Sequence, residues 1–417
     1  MASQVEQICQ QLEHAPQSER LQKTPSLLDL ILQSSNDRDV LAGLQTFASV
    51  VTSDALGIVS ARPLLHLLVD RLRAIPSLSL RIEVCQSLLA TLHHKVVSFE
   101  EQDRAIREIL ADAHEDEEDF RNSARVLQSI SLDSSQRSFT ADERAKIWVR
   151  IVRCYLEEED PISATGYLNR VKNIIFDVTD ATTKLQYELS RARILDSQRS
   201  FLEASSAYHI LSLQREVDED ERLQALSASI TCAVLAPAGP QRAKMLARLY
   251  KDERATHVEE YSILERIFLD RLLSPTDIAA FEKKLSEHQL AKTSDGFTVL
   301  QKAVLEHNMV AASRLYNNIR VEELGGLLGI DKEKAERYAA QMIEEGRLAG
   351  YIDQVDGLIY FEGESTGERG VVRGDLLVGR EMRTWDGNLR GQAEEVERIT
   401  TMIQNQYPEF YASQMVH

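Results

Sequence analysis

The sequence predicts a mainly α-helical protein. A TPR-like or HEAT-like helical-repeat solenoid is followed by a winged-helix subdomain with a small β-hairpin, then by a carboxy-terminal helix. Three observations predict it. Glycine (18) and proline (9) are scarce among 417 residues, about half of average usage, and seven of the glycines fall between Gly363 and Gly391. Breakers are therefore rare elsewhere, as long helical arrays require. Candidate helix starts at Phe120, Pro161, Phe201 and Pro240 lie 41, 40 and 39 residues apart, within the ~34 to 47 residues of helix-pair repeats. After Tyr316 the pattern changes to two short helices and a strong hairpin signal.

The helix starts are carried by capping chemistry. Ser98–Glu101 and Thr140–Glu143 read as capping boxes, in which the hydroxyl accepts from the third amide and the carboxylate reaches back. Thr24-Pro25, Asp160-Pro161 and Ser274-Pro275 each put a capping oxygen before a proline at the first helical position. Three residues after each repeat start stands a small side chain: Ser123, Ala164, Ala204 and Ala243. Seven after it, on the same face, come Leu127, Leu168, Tyr208 and Ala247. The small residue admits a partner helix and the next one fills the layer above, which is how stacked helix pairs bury a shared core. Residues 1–295 are read as this helical-repeat arm.

Val321–Gly329 is a short apolar helix ending in glycine. Asp331 then caps a second helix with Ala335, Ala339, Met342 and Ile343 on one face, stopped by Gly346. Arg347–Gln354, a turn holding Asp356-Gly357, and the apolar Leu358, Ile359, Tyr360 and Phe361 make the hairpin. Helix, turn, helix and hairpin predict a winged helix over 296–362. Leu358–Phe361 is expected to end the small sheet with a free edge, available to a neighbour. Residues 363–387 read as a Gly-rich loop. In the terminal helix, 388–417, the residues Leu389, Ala393, Val396, Ile399, Ile403 and Tyr407 form one apolar stripe.

Charge and motif content exclude several functions. Forty-eight Lys and Arg against 66 Asp and Glu leave a net charge of −18, which disfavours nucleic acid and anionic membranes as partners. The second winged-helix segment, Asp331–Glu345, carries three basic residues (Lys332, Lys334, Arg337) against five acidic ones, the wrong sign for phosphate contacts. The cysteines Cys9, Cys85, Cys154 and Cys232 form no C-x-x-C pair, which points to a reducing, intracellular compartment. Met1–Gln7 has no basic n-region, and no apolar run approaches the ~20 residues of a membrane span. His93 and His94 are adjacent and so on different helix faces, and there is no H-E-x-x-H or P-loop. His257–Glu260 reads as a charged helix face, and Arg373-Gly374-Asp375 as a chance tripeptide. The acids Glu115–Asp119 read as helix N-terminal charge, with a basic partner as the other option. No enzyme activity, metal or cofactor is expected.

A helical-repeat array running into a winged helix is the layout of the PCI domain. Leu315–Ile319, Glu322–Gly325, Ala335-Glu336, Gln341–Arg347 and Gly350–Glu362 resemble the PCI-domain subunits of the COP9 signalosome, its subunit 4 family in particular. Thr384-Trp385-Asp386 is similar too. The dense match covers about 295–362, and Gly363–Arg383 is longer than the resemblance leads one to expect. The resemblance implies a non-catalytic scaffold, cytoplasmic and nuclear, in the assembly that removes a ubiquitin-like modifier from cullins. The chemistry there belongs to a metalloprotease subunit. It further implies lateral contacts between PCI neighbours, a terminal helix in a shared bundle, and an amino-terminal arm that touches the cullin–RING ligase. A PCI scaffold of the proteasome lid or of a translation initiation complex is the alternative.

Overall fold

The computed structural model describes residues 17–32, 36–53, 56–132, 139–292, 296–361 and 372–410, without the side chains of 17–19, 372–384, 386 and 387. Cys9, Gly363, Gly367, Gly370 and the tail beyond 410 lie outside the described residues. The chain divides into two compact units, Met1–Ala233 and Val234–His417.

The first unit is an array of helices: α1 (Gln17–Leu32), α2 (Asp37–Val51), α3 (Ile58–Leu72), α4 (Leu78–Leu92), α5 (Glu100–Asp116), α6 (Phe120–Gln128), α7 (Ala141–Glu157), α8 (Pro161–Ile174), α9 (Ala181–Ser197), α10 (Phe201–Ser212) and α11 (Glu219–Leu235), at whose end the division falls. Leu28, Phe47, Leu68, Leu88 and Ile106, each wholly buried, knit α1 to α5 into one core. The capping boxes fare unevenly. Thr140 and Glu143 exchange both capping bonds at the start of α7, and Asp160 accepts from the Ser163 amide ahead of Pro161. Thr24-Pro25, however, lies inside α1, where the Thr24 hydroxyl donates to the Arg20 carbonyl at 2.7 Å. Ser98 ends a 3-10 turn, and Phe99 is the cap of α5 with no side-chain bond. A hydroxyl can serve the preceding turn as readily as the following one, so the motif alone does not decide.

The repeat has a backbone signature that its side chains did not announce. Glu118, Glu159 and Arg199 each take positive φ (63°, 56° and 62°), two residues before Phe120, Pro161 and Phe201. The following amide in each case donates five residues back, Asp119 to His114, Asp160 to Tyr155 and Ser200 to Leu195, at 2.8–2.9 Å. This is the Schellman closure, normally built with glycine, here forced on ordinary residues by the tight turn between paired helices. Ser123, Ala164 and Ala204 are fully buried at its first layer, and Leu127, Leu168 and Tyr208 at the next. The fourth start, Pro240, does begin a helix, but Ala238, two residues before it, has no positive φ, and Ala243 is exposed while its neighbour Arg242 is buried. The face has rotated by one residue. Ala164→Leu should therefore cost about 1–3 kcal/mol by overpacking, and Ala243→Leu no more than ~0.5. Thermal unfolding of both variants checks the contrast.

The second unit holds α12 (Pro240–Tyr250), α13 (Tyr261–Phe268), α14 (Pro275–Glu282), α15 (Val299–Leu315), β1 (Asn318–Arg320), α16 (Val321–Leu328), α17 (Lys332–Glu344), β2 (Gly350–Asp353), β3 (Leu358–Phe361) and α18 (Val372–Gln406). Its start near 234 lies well before the boundary at 295 expected from sequence. The reason is a shared core: Ala238, Leu305 and Met309 pack with Ile319, Leu324, Tyr338, Met342, Ile359 and Phe361. Three consecutive buried polar residues of α15 hold this unit together. Glu306 accepts from the Ala238 amide at 3.0 Å and pairs with Arg347 at 2.5 Å. His307 Nε2 lies 2.9 Å from the Arg271 carbonyl, and Asn308 accepts from the Leu273 amide at 3.0 Å.

Burial pushes the His307 pKa down to about 4, with the nearby Arg242 and Arg314 charges acting the same way. The unfolded imidazole titrates near 6.5, so the folded unit binds fewer protons between these values. Stability is then complete above pH ~6.5 and falls as pH drops towards 4, by on the order of 3 kcal/mol from this group. His307→Gln should flatten that part of the pH–stability curve measured by denaturant melts.

The winged helix forms as the sequence predicts, with one change. Gly329, Gly346 and Gly357 take positive φ at the ends of α16 and α17 and in the hairpin. Asp353 shapes that hairpin by accepting from the Val355 and Asp356 amides. Gly350 is required by proximity, because a Cβ there would stand 2.3 Å from the Tyr360 carbonyl oxygen. Asp331 does occupy the cap of α17, although its side chain makes no capping bond. The change is β1. The sheet order is β1-β3-β2, with β3 antiparallel to both neighbours.

Candidate assembly surface

The expected free edge at Leu358–Phe361 does not exist. β3 is the central strand, pairing Ile359 with Ile319 on one side and with Ile352 on the other. Ile359 is fully buried and Phe361 nearly so, both in the core of the second unit, while Leu358 and Tyr360 are half-buried. An apolar four-residue run marks a strand buried on both sides as readily as an edge. The partner that settled the matter is only three residues long. Apolar groups that do face outward here are Tyr351, stacked on Tyr360 at 4.9 Å, Val355 at the hairpin tip, and Leu315 and Tyr316 ahead of β1. Alternation along β2 is the sequence signal that could have found Tyr351.

The terminal helix is longer than expected. α18 runs from Val372 to Gln406, so residues 372–387 of the supposed Gly-rich loop are helical, and 363–371 lie outside the described residues. Gly374, Gly379, Gly387 and Gly391 each cost the helix roughly 1 kcal/mol relative to alanine. The Leu, Arg, Glu and Met residues between them are good helix formers and tip the balance. Along this helix Leu389, Val396 and Ile399 are exposed and Ile403 half-buried, with exposed Tyr407 continuing the stripe just past the end. Trp385 and Met402 are exposed apolar side chains beside it that sequence reasoning missed, though Trp385 lies one turn before Leu389. The polar side satisfies itself locally. Arg398 reaches Glu395 at 2.5 Å, and the Thr400 hydroxyl donates to the Val396 carbonyl. A long helix with a bare apolar face is marginal in water and is stabilised by a partner.

The charged groups that the sequence singles out pair locally within the chain. Lys332 of α17 pairs with Glu322 at 2.8 Å and Lys334 lies 4.0 Å from Asp331, so the helix presents no excess of positive charge. In the acidic run, Asp119 caps α6 and Glu115 sits half-buried at a repeat joint, accepting from Arg150 Nε at 2.7 Å and Ser123 at 3.0 Å. Burial raises the Glu115 carboxyl, but the bond and charge of Arg150 outweigh it, and its pKa is lowered. Glu259 and Glu260 beside His257 both pair with Lys284. Among the described residues no cluster of three His, Cys, Asp or Glu is placed to hold a metal ion, and no helix is long and apolar enough to cross a membrane. Cys85, Cys154 and Cys232 are buried free thiols, and burial pushes Cys85 and Cys154 up to about 12.

Residues 3–220 match the family model described as PSMD12/CSN4, N-terminal, and residues 265–363 match the PCI domain. The chain is 49% identical over 396 residues to the COP9 signalosome complex subunit 4 of Emericella nidulans, covering 93% of this chain and 94% of that one. This chain belongs to the COP9 signalosome subunit 4 family. Members from Neurospora crassa, 42% identical across 98% of both chains, and Dictyostelium discoideum, 39% identical across 94% of both, bear it out. In this member of the subunit 4 family, the surface with the clearest unmet need is the stripe on α18.

Proposed function

We propose that the chain is a non-catalytic scaffold subunit of a COP9 signalosome in the cytoplasm and nucleus. In this reading the winged-helix unit and α18 join it to PCI neighbours and to the metalloprotease pair, and its helical arm contacts the cullin–RING ligase whose deneddylation the complex performs. The observation that carries the reading is the bare stripe of Leu389, Val396 and Ile399 on α18, in a chain whose relatives are named as subunits of that complex. Scaffold rather than enzyme is the reading that a sequence without H-E-x-x-H or a P-loop supports. Co-expression with the other signalosome subunits tests it. The chain should co-purify in one-to-one stoichiometry, be needed for deneddylation, and show no turnover when isolated. Co-purification with proteasome-lid or initiation-factor subunits instead, or turnover by the isolated chain, would overturn it.

A further inference from the structure

We infer that Gln392 sets the register of α18 within a multi-helix bundle, an inference that rests on the assembly role proposed above. The apolar face of α18 has a regular spacing once one polar residue is included. Trp385, Leu389, Gln392, Val396, Ile399, Ile403 and Gln406 follow one another in steps of four and three without a break. That is the 3.5-residue period of a supercoiled seam, rather than the 3.6 of a helix lying on a globular surface.

The flanks of the seam identify what covers it. Of the positions flanking the seam, Asp386 and Glu395 are charged, whereas Asn388, Ala393, Thr400, Met402 and, just beyond the helix, Tyr407 are not. Arg390, Glu394, Glu397 and Arg398 lie on the far face. A two-stranded coil carries charged residues along both flanks of its seam. A face widened by mostly uncharged flanks belongs to a helix packed against more than one neighbour. The occupant is thus a pair or more of helices from other subunits, rather than a second copy of α18 in a simple dimer.

Gln392 is exposed in the chain alone but sits mid-seam, one turn from Leu389 and one from Val396. Once covered, its amide requires partners for both the carbonyl and the NH2 group. Sliding the helix by a heptad would put it opposite an apolar residue and leave it unsatisfied, a penalty of roughly tenfold in association. Gln406 occupies the last position of the helix, where water can reach it, so the discrimination falls on Gln392.

The full-length chain, co-expressed with its partner subunits, tests this as Gln392→Leu, Gln392→Asn and Val396→Asp. Gln392→Leu should still be incorporated, but residue-specific crosslinks from α18 should spread to positions one heptad away. Gln392→Asn should keep the wild-type crosslink map. An unchanged map for Gln392→Leu, with Val396→Asp excluded from the complex, refutes the register role alone. Val396→Asp incorporating normally refutes the docking of α18 and the register role with it. A wild-type chain that dimerises through α18 refutes the bundle.

Discussion

Ile359→Asp should unfold the winged-helix unit of the isolated chain. Ile359 is fully buried at the centre of a three-stranded sheet, with Ile319 and Ile352 paired beside it. The substitution deletes a core side chain and buries an unpaired carboxylate, a combination that costs on the order of 4 kcal/mol or more. Domains are stable by only about 5–15 kcal/mol. The near-ultraviolet signal of the aromatic residues packed there, Tyr338 and Phe361 among them, should be lost at moderate temperature. Val355→Asp, at the exposed hairpin tip, should melt within ~0.5 kcal/mol of the parent chain. If Ile359→Asp instead melts normally and fails only to assemble, β3 faces a partner and the strand order β1-β3-β2 is wrong.

The second large effect is expected in assembly and not in stability. Val396→Asp combined with Ile399→Asp should leave the melting temperature of the isolated chain unchanged, because both side chains are exposed in it. Covering two such aliphatic groups is worth about 3–6 kcal/mol gross. Their loss, with two carboxylates in a dry seam, should weaken incorporation by more than roughly a hundredfold. Subunit exchange or competition with the unmodified chain measures the ratio. Deletion makes the same point only if it begins at Val372, since a cut after Gly387 would leave half of α18 behind. A double variant that melts lower would mean that the helix folds back on its own unit; one that assembles normally would leave the stripe without a role.

Two features of the candidate surface were judged differently by sequence and by structure. The stripe at Leu389, Val396, Ile399 and Ile403 was legible because helical faces are written at steps of three and four. The reach of its helix was not, because four glycines within Gly374–Gly391 look like a loop to any local rule. Their penalty of roughly 1 kcal/mol each is offset by the strong helix formers around them, a balance summed over the whole segment. Leu358–Phe361 was legible as a strand and not as a central one. Nothing within that run says whether one neighbour or two will pair with it.

Local sequence signals suffice for the helix starts at Phe120, Pro161, Phe201 and Pro240, the turns at Gly329, Gly346 and Gly357, and the change from repeat to winged helix. All of these rest on short-range physics: a capping oxygen, a left-handed glycine, an apolar period. Long-range packing makes the fourth repeat rotate its buried face from Ala243 to Arg242, and starts the second unit near residue 234. The same packing brings three residues, Asn318–Arg320, to close the second edge of β3. Each of these depends on groups tens of residues apart, such as Glu306 with the Ala238 amide or Ile319 with Ile359. Such contacts form only once the chain has closed the long loops between them, and a local pattern carries no record of which distant segment will fill the place.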